Sequence, residues 1–291
     1  MKIDLHMHST ASDGTDKPEE IVRQCAEQGL EYAVLTDHDT IAGVAAFATE
    51  AQKQGIKTVS GIEFSANSEK EMHILVYGAD LQNAEFCALM TELAKRRSSR
   101  IAEMTQKLID LGFGITHEQV RRFAANGVPG RPHIALALVE AGEAASVDEA
   151  FRKYLKVGCP GYVPRRGVSR EQILSAGRAA GGLPVLAHPK FTYAADFDAL
   201  ISQMKAAGLA GIEAFYPEHD DAECAYFCAL AEKYGLFVTQ GSDYHGHIRP
   251  STYLGKECRG EGHPLLLRGI YEIFEKKQGL SAVYVDSFAL L

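Results

Sequence analysis

The chain has 291 residues, with 30 Lys and Arg against 38 Asp and Glu, which gives a formal net charge of −8. Apolar residues make up 46% and charged residues 23% of the sequence, an ordinary globular composition that excludes wholesale disorder, collagen-like repeats and coiled-coil architecture. The negative net charge also argues weakly against a protein that coats nucleic acid.

Targeting and disulfide signals are missing from the sequence. The first ten residues, MKIDLHMHST, lack the apolar core of a signal peptide, and no run of residues is apolar for long enough to form a membrane span. The six cysteines include no CxxC pair, so we expect them to be reduced and mostly buried. The sequence therefore predicts a cytoplasmic protein that does not bind membranes.

The first part of the sequence alternates short apolar runs with amphipathic stretches that end at Gly29 and Gly55, two residues suited to helix C-terminal caps. In chain order we predict a strand at 2–8, a helix at 18–29, a strand at 31–36, a helix at 40–54, and strands at 57–63 and 72–78.

Between residues 81 and 167 the strand pattern disappears. The spacing of Ile101, Met104 and Leu108 is helical, and Thr116 opens a capping box that predicts another helix. Further helices are predicted at 131–141 and 147–155. Residues 95–170 hold 14 Lys and Arg against 7 Asp and Glu, so we interpret residues 81–167 as a basic, all-helical insertion that acts as a lid.

The last part of the sequence resumes the alternation of strands and helices. We predict helices at 169–181, 196–207 and 220–234, and strands at 183–187, 211–216 and 236–241. This alternation is typical of an α/β fold with a mostly parallel sheet, and about seven strands suggest a barrel or a strongly curved sheet. The body of the fold would comprise residues 1–80 and 168–291.

Two histidines lie on the first predicted strand, in the sequence Asp4-Leu5-His6-Met7-His8. Residues two apart on a strand point to the same face, so His6 and His8 would lie side by side while Leu5 and Met7 face apolar packing. Two adjacent imidazoles can grip one metal ion, although this pattern taken alone is equally compatible with a purely structural role.

More histidines and carboxylates follow at the ends of other predicted strands. In parallel α/β folds, the carboxyl ends of the strands converge on one mouth, where such folds carry out their chemistry. His73 begins its strand, but it follows Glu63 too closely for a helical crossover, so we predict an antiparallel return to the same mouth. The residues brought together in this way are His6, His8, His38, Glu63, His73, His188, Asp243 and His245.

Imidazole and carboxylate ligands without thiolates suit Mn²⁺, Fe²⁺ or Zn²⁺ better than Ca²⁺ or Mg²⁺. The candidates outnumber the ligands of one ion. We therefore expect two or three divalent cations that share a carboxylate, with Mn²⁺ ahead of Zn²⁺ and Fe²⁺, an arrangement suited to activating water and clamping a phosphoryl group.

These motifs, taken together and in order, resemble the PHP (polymerase and histidinol phosphatase) superfamily over essentially the whole chain. The resemblance implies a distorted (β/α)7 barrel, PHP-type and TIM-like, with three metal ions. The motifs that carry it are His6-x-His8, Asp13-Gly14-Thr15, Asp37-His38-Asp39, Gly61-Ile62-Glu63-Phe64-Ser65, His73, Ala187-His188-Pro189 and Gly241-Ser242-Asp243-Tyr244-His245-Gly246.

The resemblance also assigns metal ligands. It implies one ion on His6, His8, Glu63 and Asp243, a second on Glu63, His73 and His188, and a third on Asp13, His38 and His245, with Glu63 as the bridge. Asp13 enters only through the resemblance, because strand-end reasoning does not single out a loop residue.

Two segments of the basic insertion, Gly130-Arg131-Pro132-His133-Ile134-Ala135 and Gly161-Tyr162-Val163-Pro164-Arg165, are similar to a small bacterial branch of the superfamily. Members of that branch hydrolyse nucleoside 3′,5′-bisphosphates and short 5′-phosphorylated oligonucleotides. The resemblance therefore implies a phosphatase that converts compounds such as pAp to the 5′-monophosphate and phosphate by attack of a metal-bound hydroxide.

Several residues are candidates for binding or processing such a substrate. Guanidinium groups match phosphate oxygens, so Arg131 and Arg165 would hold phosphate. His133 would either bind phosphate, protonate the leaving oxygen or simply begin a helix, His219 would lie near the mouth, and Tyr162 would either stack a base or pack internally. We expect the catalytic residues to be Glu63, Asp243, His245, Arg131 and His133.

Alternative functions remain open from the sequence. The main one is a 5′→3′ exoribonuclease acting on short 5′-phosphorylated RNA, for which the run Lys95-Arg96-Arg97 with Arg100 would either follow the RNA backbone or form an ordinary solvated helix face. A histidinol phosphate phosphatase and a non-catalytic metal-binding module fit less well. We expect a nucleotide or short RNA as substrate and no stable protein partner.

Overall fold

The computed structural model describes residues 1–67, 72–125, 127–164, 167–192, 194–256 and 259–276. The fold is mixed α/β. The described strands are β1 (Ile3–Asp4), β2 (Tyr32–Ala33), β3 (Gly61–Ser65), β4 (His73–Tyr77), β5 (Leu183–Leu186), β6 (Gly211–Phe215) and β7 (Phe237–Gln240).

The helices follow the predicted alternation, and all of the predicted helices are present with bounds shifted by a few residues. In chain order they are α1 (Pro18–Glu27), α2 (Val44–Gln54), α3 (Ala84–Asp110), α4 (His117–Ala124), α5 (Arg131–Glu140), α6 (Val147–Ala150), α7 (Arg170–Ala179), α8 (Phe197–Ala206), α9 (Asp221–Lys233) and α10 (Pro264–Ile270). A π-helical turn continues α6 over Phe151–Leu155, and another continues α10 over Tyr271–Glu275.

The strands form one five-stranded sheet in the order β3-β4-β5-β6-β7 and one two-stranded sheet of β1 and β2. β4 is antiparallel to β3, and this confirms the predicted return that brings His73 back beside the end of β3, where it pairs with Ser65. β4 is also antiparallel to β5, while β5, β6 and β7 run parallel.

Backbone hydrogen bonds join the two sheets along both edges. On one side, the N–H of Leu5, which follows β1, donates to the carbonyl of Gln240 in β7 at 3.1 Å; on the other, the N–H of Glu63 in β3 donates to the carbonyl of Asp37, which lies beyond β2, at 3.2 Å. The first two strands are shorter than predicted, and the described strands form two joined sheets rather than a regular seven-stranded barrel. Asp39, which lies beyond β2, and Asp243, which lies beyond β7, have positive φ values of 54° and 53°, so the backbone is not extended at these two positions.

The main hydrophobic core lies between the five-stranded sheet and the helices that flank it, and includes Ile62, Leu75, Leu186 and Ile212. Helices α3 to α6 pack around a separate cluster that includes Ile101, Met104, Leu108, Ile134 and Leu138. The capping box predicted at Thr116 is present, with the threonine hydroxyl accepting the N–H of Gln119 at 3.1 Å. Within residues 1–276, none of the described helices is long and apolar enough to cross a membrane.

Gly61 opens β3, two residues before Glu63, where the neighbouring segment leaves no room for a side chain. A Cβ at this position would lie 2.4 Å from the carbonyl oxygen of Leu35 and 2.4 Å from Cγ1 of Val34. Because one of these atoms belongs to the backbone, the conflict cannot be relieved by a side-chain rotation. The close approach therefore requires glycine.

We predict that Gly61→Ala lowers the free energy of unfolding by about 1–3 kcal/mol, because the added methyl group forces two paired segments apart. Urea unfolding followed by circular dichroism measures the change. Gly114→Ala is the control, since its added Cβ would meet only the Glu143 side chain at 3.4 Å. Equal stability of the Gly61 variant and the wild type would contradict the packing described here.

Candidate metal centre

All nine predicted metal ligands are buried and lie in one cluster, most of them at or just beyond the carboxyl ends of the strands, with His73 at the start of β4 and Asp13 in a loop. None of them is more than 8% exposed. Their nitrogen and oxygen atoms form four overlapping groups, in each of which the ligand atoms lie within 4.8 Å of one another. The cluster consists of His6, His8, Asp13, His38, Glu63, His73, His188, Asp243 and His245.

Glu63 lies at the centre of the cluster, and its two carboxylate oxygens face different histidines. Oε2 lies 3.3 Å from Nε2 of His6 and 3.1 Å from Nε2 of His8. Oε1 lies 2.8 Å from Nδ1 of His73 and 3.0 Å from Nε2 of His188. A carboxylate with nitrogen ligands gathered at each oxygen has the geometry of a bridge between two cations.

Asp243 adds a second carboxylate beside the first pair of histidines. Its Oδ1 atom lies 3.2 Å from Nε2 of His8, 3.6 Å from Nε2 of His6 and 3.4 Å from Nδ1 of His245. This places Asp243 Oδ1 and Glu63 Oε2 around the same two imidazoles. The four residues together offer two nitrogen and two oxygen atoms to one ion.

Asp13 extends the cluster on the side away from β4. Its Oδ1 atom lies 3.4 Å from Nε2 of His245, and its Oδ2 atom lies 3.9 Å from Nε2 of His38. Nδ1 of His38 lies 3.0 Å from Oε2 of Glu63, so His38 stands between the two carboxylates. Asp13, which lies in a loop and was assigned only through the family resemblance, is thus within the cluster.

The donor set fits divalent cations. Nε2 of His6 and Nε2 of His8 face each other at 3.2 Å, and Nδ1 of His73 faces Nε2 of His188 at 3.3 Å. Buried polar atoms normally have hydrogen-bond partners, yet Oε2 of Glu63, although imidazole nitrogens lie close to it, accepts a hydrogen bond with proper geometry from none of the described residues. Converging imidazole and carboxylate atoms of this kind are the ligands of Mn²⁺, Fe²⁺ and Zn²⁺.

The protonation of the cluster is mixed. Burial lowers the pKa of His8, but the nearby carboxylates of Asp243 and Glu63 outweigh it and raise that pKa to about 9, so a bound cation would have to displace this proton. Burial raises the pKa of Glu63, but the positive charges of the surrounding histidines outweigh it and hold that pKa well below its ordinary value. Burial lowers the pKa of His38 to about 3, so this imidazole is neutral near pH 7 and has a lone pair free to bind a cation. With its pKa held low, the carboxylate of Glu63 is ionised near pH 7.

Glu213, on β6, is a functional candidate that the sequence analysis missed. It is fully buried; its Oε1 atom accepts from Nδ1 of His6 at 2.9 Å, and its Oε2 atom accepts from the backbone N–H of His188 at 2.8 Å. These bonds fix the ring of one ligand and the backbone of another. The signal was present in the sequence, because Gly211-Ile212-Glu213 repeats the Gly-Ile-Glu pattern of β3.

Two further residues orient Asp243. The hydroxyl group of Tyr216 donates to Oδ2 of Asp243 at 2.9 Å, and the guanidinium of Arg249 donates to the same oxygen. Arg249 also donates to the hydroxyl oxygen of Tyr216 at 3.1 Å. Oδ2 is therefore occupied by these two side chains, and Oδ1 remains directed at the histidines.

Arg97 of α3 reaches the cluster from the helical segment. It is 11% exposed and donates to Oδ2 of Asp13 at 2.8 Å, to Oδ2 of Asp39 at 3.3 Å and to the carbonyl of Pro129 at 3.3 Å. The run Lys95-Arg96-Arg97 is therefore not a uniformly solvated face. One of its arginines neutralises two carboxylates beside the candidate metal ligands.

A cavity of about 860 Å³ opens above the cluster. Seven of the nine candidate ligands line it, together with positively charged side chains contributed mainly by helices α3 and α5 and the π-helical turn that follows α6. Among the described residues these cationic side chains are Arg96, Arg97, Arg100, Arg131, Arg152, Lys156 and Arg249. A cavity with carboxylates at its base and cations around its wall suits a phosphorylated substrate combined with metal ions.

The predicted substrate-binding residues, unlike the predicted metal ligands, do not form one cluster. Arg131 lines the cavity, with its guanidinium 5.4 Å from the centre of the Phe151 ring. His133 is buried at the start of α5, where its Nδ1 atom accepts the N–H of Gly130 at 2.9 Å. Burial lowers the pKa of His133 to about 4, so its imidazole is neutral near pH 7. Arg165 lies outside the described residues.

His219 and Tyr162 do not line the cavity. His219 is buried, Nδ1 donates to the carbonyl of Ala214 at 2.9 Å, and its ring packs against Phe227. The Tyr162 ring lies beside the guanidinium of Arg100, with 5.5 Å between them. Both predictions rested on sequence position alone, which does not determine the direction in which a loop side chain points.

Comparison with known proteins also supports a metal-binding site. The family model described as "PHP domain" matches residues 4–158. A metal-dependent phosphoesterase of Bifidobacterium adolescentis has a solved structure that matches with a TM-score of 0.82 and 29% identity, covering 88% of this chain and 91% of that chain.

Three curated relatives match along most of their length. The 3′,5′-nucleoside bisphosphate phosphatase of Chromobacterium violaceum is 32% identical over 94% of this chain and 97% of its own. The 5′-3′ exoribonuclease Rnm of Escherichia coli is 31% identical over 94% of both chains. The phosphoribosyl 1,2-cyclic phosphate 1,2-diphosphodiesterase of Eggerthella lenta is 33% identical over 87% of this chain and 97% of its own.

We predict that Mn²⁺ raises the Tm of the metal-free protein by about 5 °C or more at a concentration far above its dissociation constant, because a ligand that binds only the folded state stabilises it. Glu63→Gln should remove most of this rise, since the amide cannot bridge two cations. Differential scanning fluorimetry with and without Mn²⁺ measures the effect for each variant against its own metal-free baseline.

Glu92→Gln is the matched control, because Glu92 is exposed on α3 and pairs with Arg96 away from the nine ligands. This variant should retain the full Mn²⁺ response. An equal Mn²⁺ response in the Glu63 and Glu92 variants would remove Glu63 from the metal centre.

Proposed function

The chain belongs to the PHP domain family, and from this premise we propose that it is a metal-dependent phosphoesterase that removes the 3′-phosphate from nucleoside 3′,5′-bisphosphates. The observation that carries the proposal is the position of nine buried imidazole and carboxylate ligands at the base of a cavity whose wall is lined by cationic side chains. The relatives named above act on phosphate esters according to their names, and the Chromobacterium violaceum phosphatase supports the bisphosphate as substrate.

We propose that the cluster holds three divalent cations, with Mn²⁺ as the preferred ion. The contacts support one ion on His6, His8, Glu63 and Asp243, a second on Glu63, His73 and His188, and a third on Asp13, His38 and His245. When bound, such ions lower the pKa of a water molecule and neutralise charge on phosphate oxygens.

The chain's own residues position these ligands and the substrate. Glu213 fixes the ring of His6, and the Tyr216–Arg249 pair fixes Asp243, so the ligand atoms are held in place before substrate arrives. Arg131 lines the cavity and is the candidate for holding the second phosphate of the substrate, because a guanidinium can donate two parallel hydrogen bonds to a pair of phosphate oxygens.

His133 does not line the cavity, although Arg131 and Pro132 beside it do, so it enters the proposal only as a neutral hydrogen-bond donor next to the cavity wall. Because its Nδ1 atom accepts the Gly130 N–H, its proton lies on Nε2, from which it can donate to a polar group. A pKa of about 4 leaves the imidazolium form scarce near pH 7, which disfavours the role of proton donor to the leaving oxygen.

We also propose how the chain is organised around the site. The backbone bonds between the two sheets would close the seven strands into a distorted barrel formed by residues 1–80 and 168–291. Residues 81–167 would form a helical insertion that covers the mouth. The separate hydrophobic cluster of α3 to α6 and the cations that these helices direct at the cavity support this division.

A second candidate is 5′→3′ hydrolysis of short 5′-phosphorylated RNA at the same site. Apart from Arg97 and Arg249, which pair with carboxylates at the cluster, five cationic side chains line the described cavity wall, more than two phosphates need, and the Escherichia coli relative is named as an exoribonuclease. The two activities would then differ in the number of nucleotides that follow the reacting phosphate in the substrate.

We predict that, with Mn²⁺ present, a nucleoside 3′,5′-bisphosphate gives the highest kcat/KM for phosphate release among four substrates: the bisphosphate, its two monophosphates and a 5′-phosphorylated RNA. A colorimetric phosphate assay and chromatography of the RNA products measure this. Asp13→Ala is the loss-of-activity control. Conversion of the RNA to mononucleotides, with little release from the bisphosphate, would reverse the order of the two candidates.

Arg131→Ala should raise KM for the bisphosphate about tenfold or more while changing kcat less, because removing a charge-assisted hydrogen bond to phosphate costs about 1.5–3 kcal/mol. Steady-state kinetics on the bisphosphate measure both constants. The control is Arg122→Ala, which removes an exposed charge paired with Glu140 in the same helical segment. An unchanged kcat/KM in the Arg131 variant would remove this residue from the site.

A further inference from the structure

Phe191 is an exposed aromatic side chain on the wall of the cavity. It ends the 3₁₀ turn Pro189–Phe191 that directly follows the candidate ligand His188. Its side chain is 36% exposed, which is unusual for phenylalanine, and it lines the same cavity as the candidate metal ligands. Neither the predicted ligand set nor the proposed phosphate contacts give this ring a role.

The position of the ring is fixed by its neighbours. The backbone N–H of Phe191 donates to the carbonyl of His188 at 3.1 Å, which closes the turn. The ring packs edge-to-face on Tyr216, with centroids 6.0 Å apart and an interplanar angle of 86°, and it lies 5.8 Å from the His188 ring. An aromatic surface is therefore presented to the cavity in a defined orientation.

The other aromatic side chains of the described cavity wall are engaged. Tyr216 is 1% exposed, and its hydroxyl group is bonded to Asp243. Phe151 is half-buried and lies beside the guanidinium of Arg131. Tyr162, for which base stacking was considered from the sequence, does not line the cavity. Phe191 has the exposed ring best placed for a flat apolar ligand.

We propose that Phe191 is the stacking platform for the nucleobase of the substrate and makes the site selective for phosphate esters that carry a base. The inference rests on the proposed function and narrows it. Stacking on an aromatic ring tolerates every base, because each base has a π-face. A ribose phosphate without a base, the kind of compound named for the Eggerthella lenta relative, would gain nothing from this contact.

The experiment compares a nucleoside 3′,5′-bisphosphate with ribose 3,5-bisphosphate, which has the same phosphates and no base. Both are assayed with the Mn²⁺-loaded wild type, Phe191→Ala and Phe191→Tyr, and with Tyr226→Ala as the control. Tyr226 is also an exposed aromatic residue, 49% exposed, but it lies outside the cavity wall. Bound Mn²⁺ is measured in each variant, because a disturbed His188 would lower it.

The proposal expects Phe191→Ala to lower kcat/KM for the nucleotide about 5- to 150-fold, the range that corresponds to the loss of one stacked base. The kcat/KM for ribose 3,5-bisphosphate should stay within twofold of the wild type, the Mn²⁺ content should be unchanged, and Phe191→Tyr should retain the preference for the nucleotide. The Tyr226 variant should match the wild type on both substrates.

Equal losses on both substrates, or no loss on either, would overturn the role of Phe191 while leaving the proposed phosphatase intact. Failure of the wild type to hydrolyse either bisphosphate would instead overturn the proposed function. In that case calorimetric binding of a nucleoside 5′-monophosphate and of ribose 5-phosphate decides the stacking proposal. Tighter nucleotide binding that depends on Phe191 supports it, and equal binding by wild type and Phe191→Ala contradicts it.

Discussion

The arrangement of this fold depends on one ionised carboxylate, that of Glu63, which is fully buried and surrounded by imidazoles on both of its oxygens. A charge removed from water in this way is stable only when opposite charges or metal ions compensate it. The surrounding structure supplies that compensation. β4 runs antiparallel and brings His73 to one oxygen, while the short first strand places His6 and His8 at the other.

Charge balance also explains the side chains that contact the nine candidate ligands from outside. Arg97 compensates Asp13 and Asp39, and Arg249 compensates Asp243, so these three carboxylates are each paired with a guanidinium from outside the cluster. Glu213 instead accepts a hydrogen bond from Nδ1 of His6. Positively charged residues of α3 and α5 line the cavity above this acidic base, so the overall charge of −8 does not describe the local charge at the cavity.

Much of this arrangement could be predicted from the sequence, because strand periodicity places residues such as His6 and His8 on one face, and the short spacing between Glu63 and His73 requires a hairpin. The residues that were missed or misplaced follow a different logic. Glu213 looks like an ordinary strand residue until its partner His6 is known, and Arg97 lies far along the chain from Asp13. Phe191 lines the cavity and Tyr162 does not. The direction in which each of these side chains points depends on tertiary packing, which no local sequence pattern encodes.

The central claim is that Glu63 bridges two cations in a nine-ligand centre. Anomalous scattering from crystals of the Mn²⁺-loaded protein, recorded on both sides of the manganese absorption edge, tests it most directly. The account predicts one peak beside each carboxylate oxygen of Glu63 and a third peak between Asp13 and His245. A single peak, or peaks that do not contact Glu63, would contradict it.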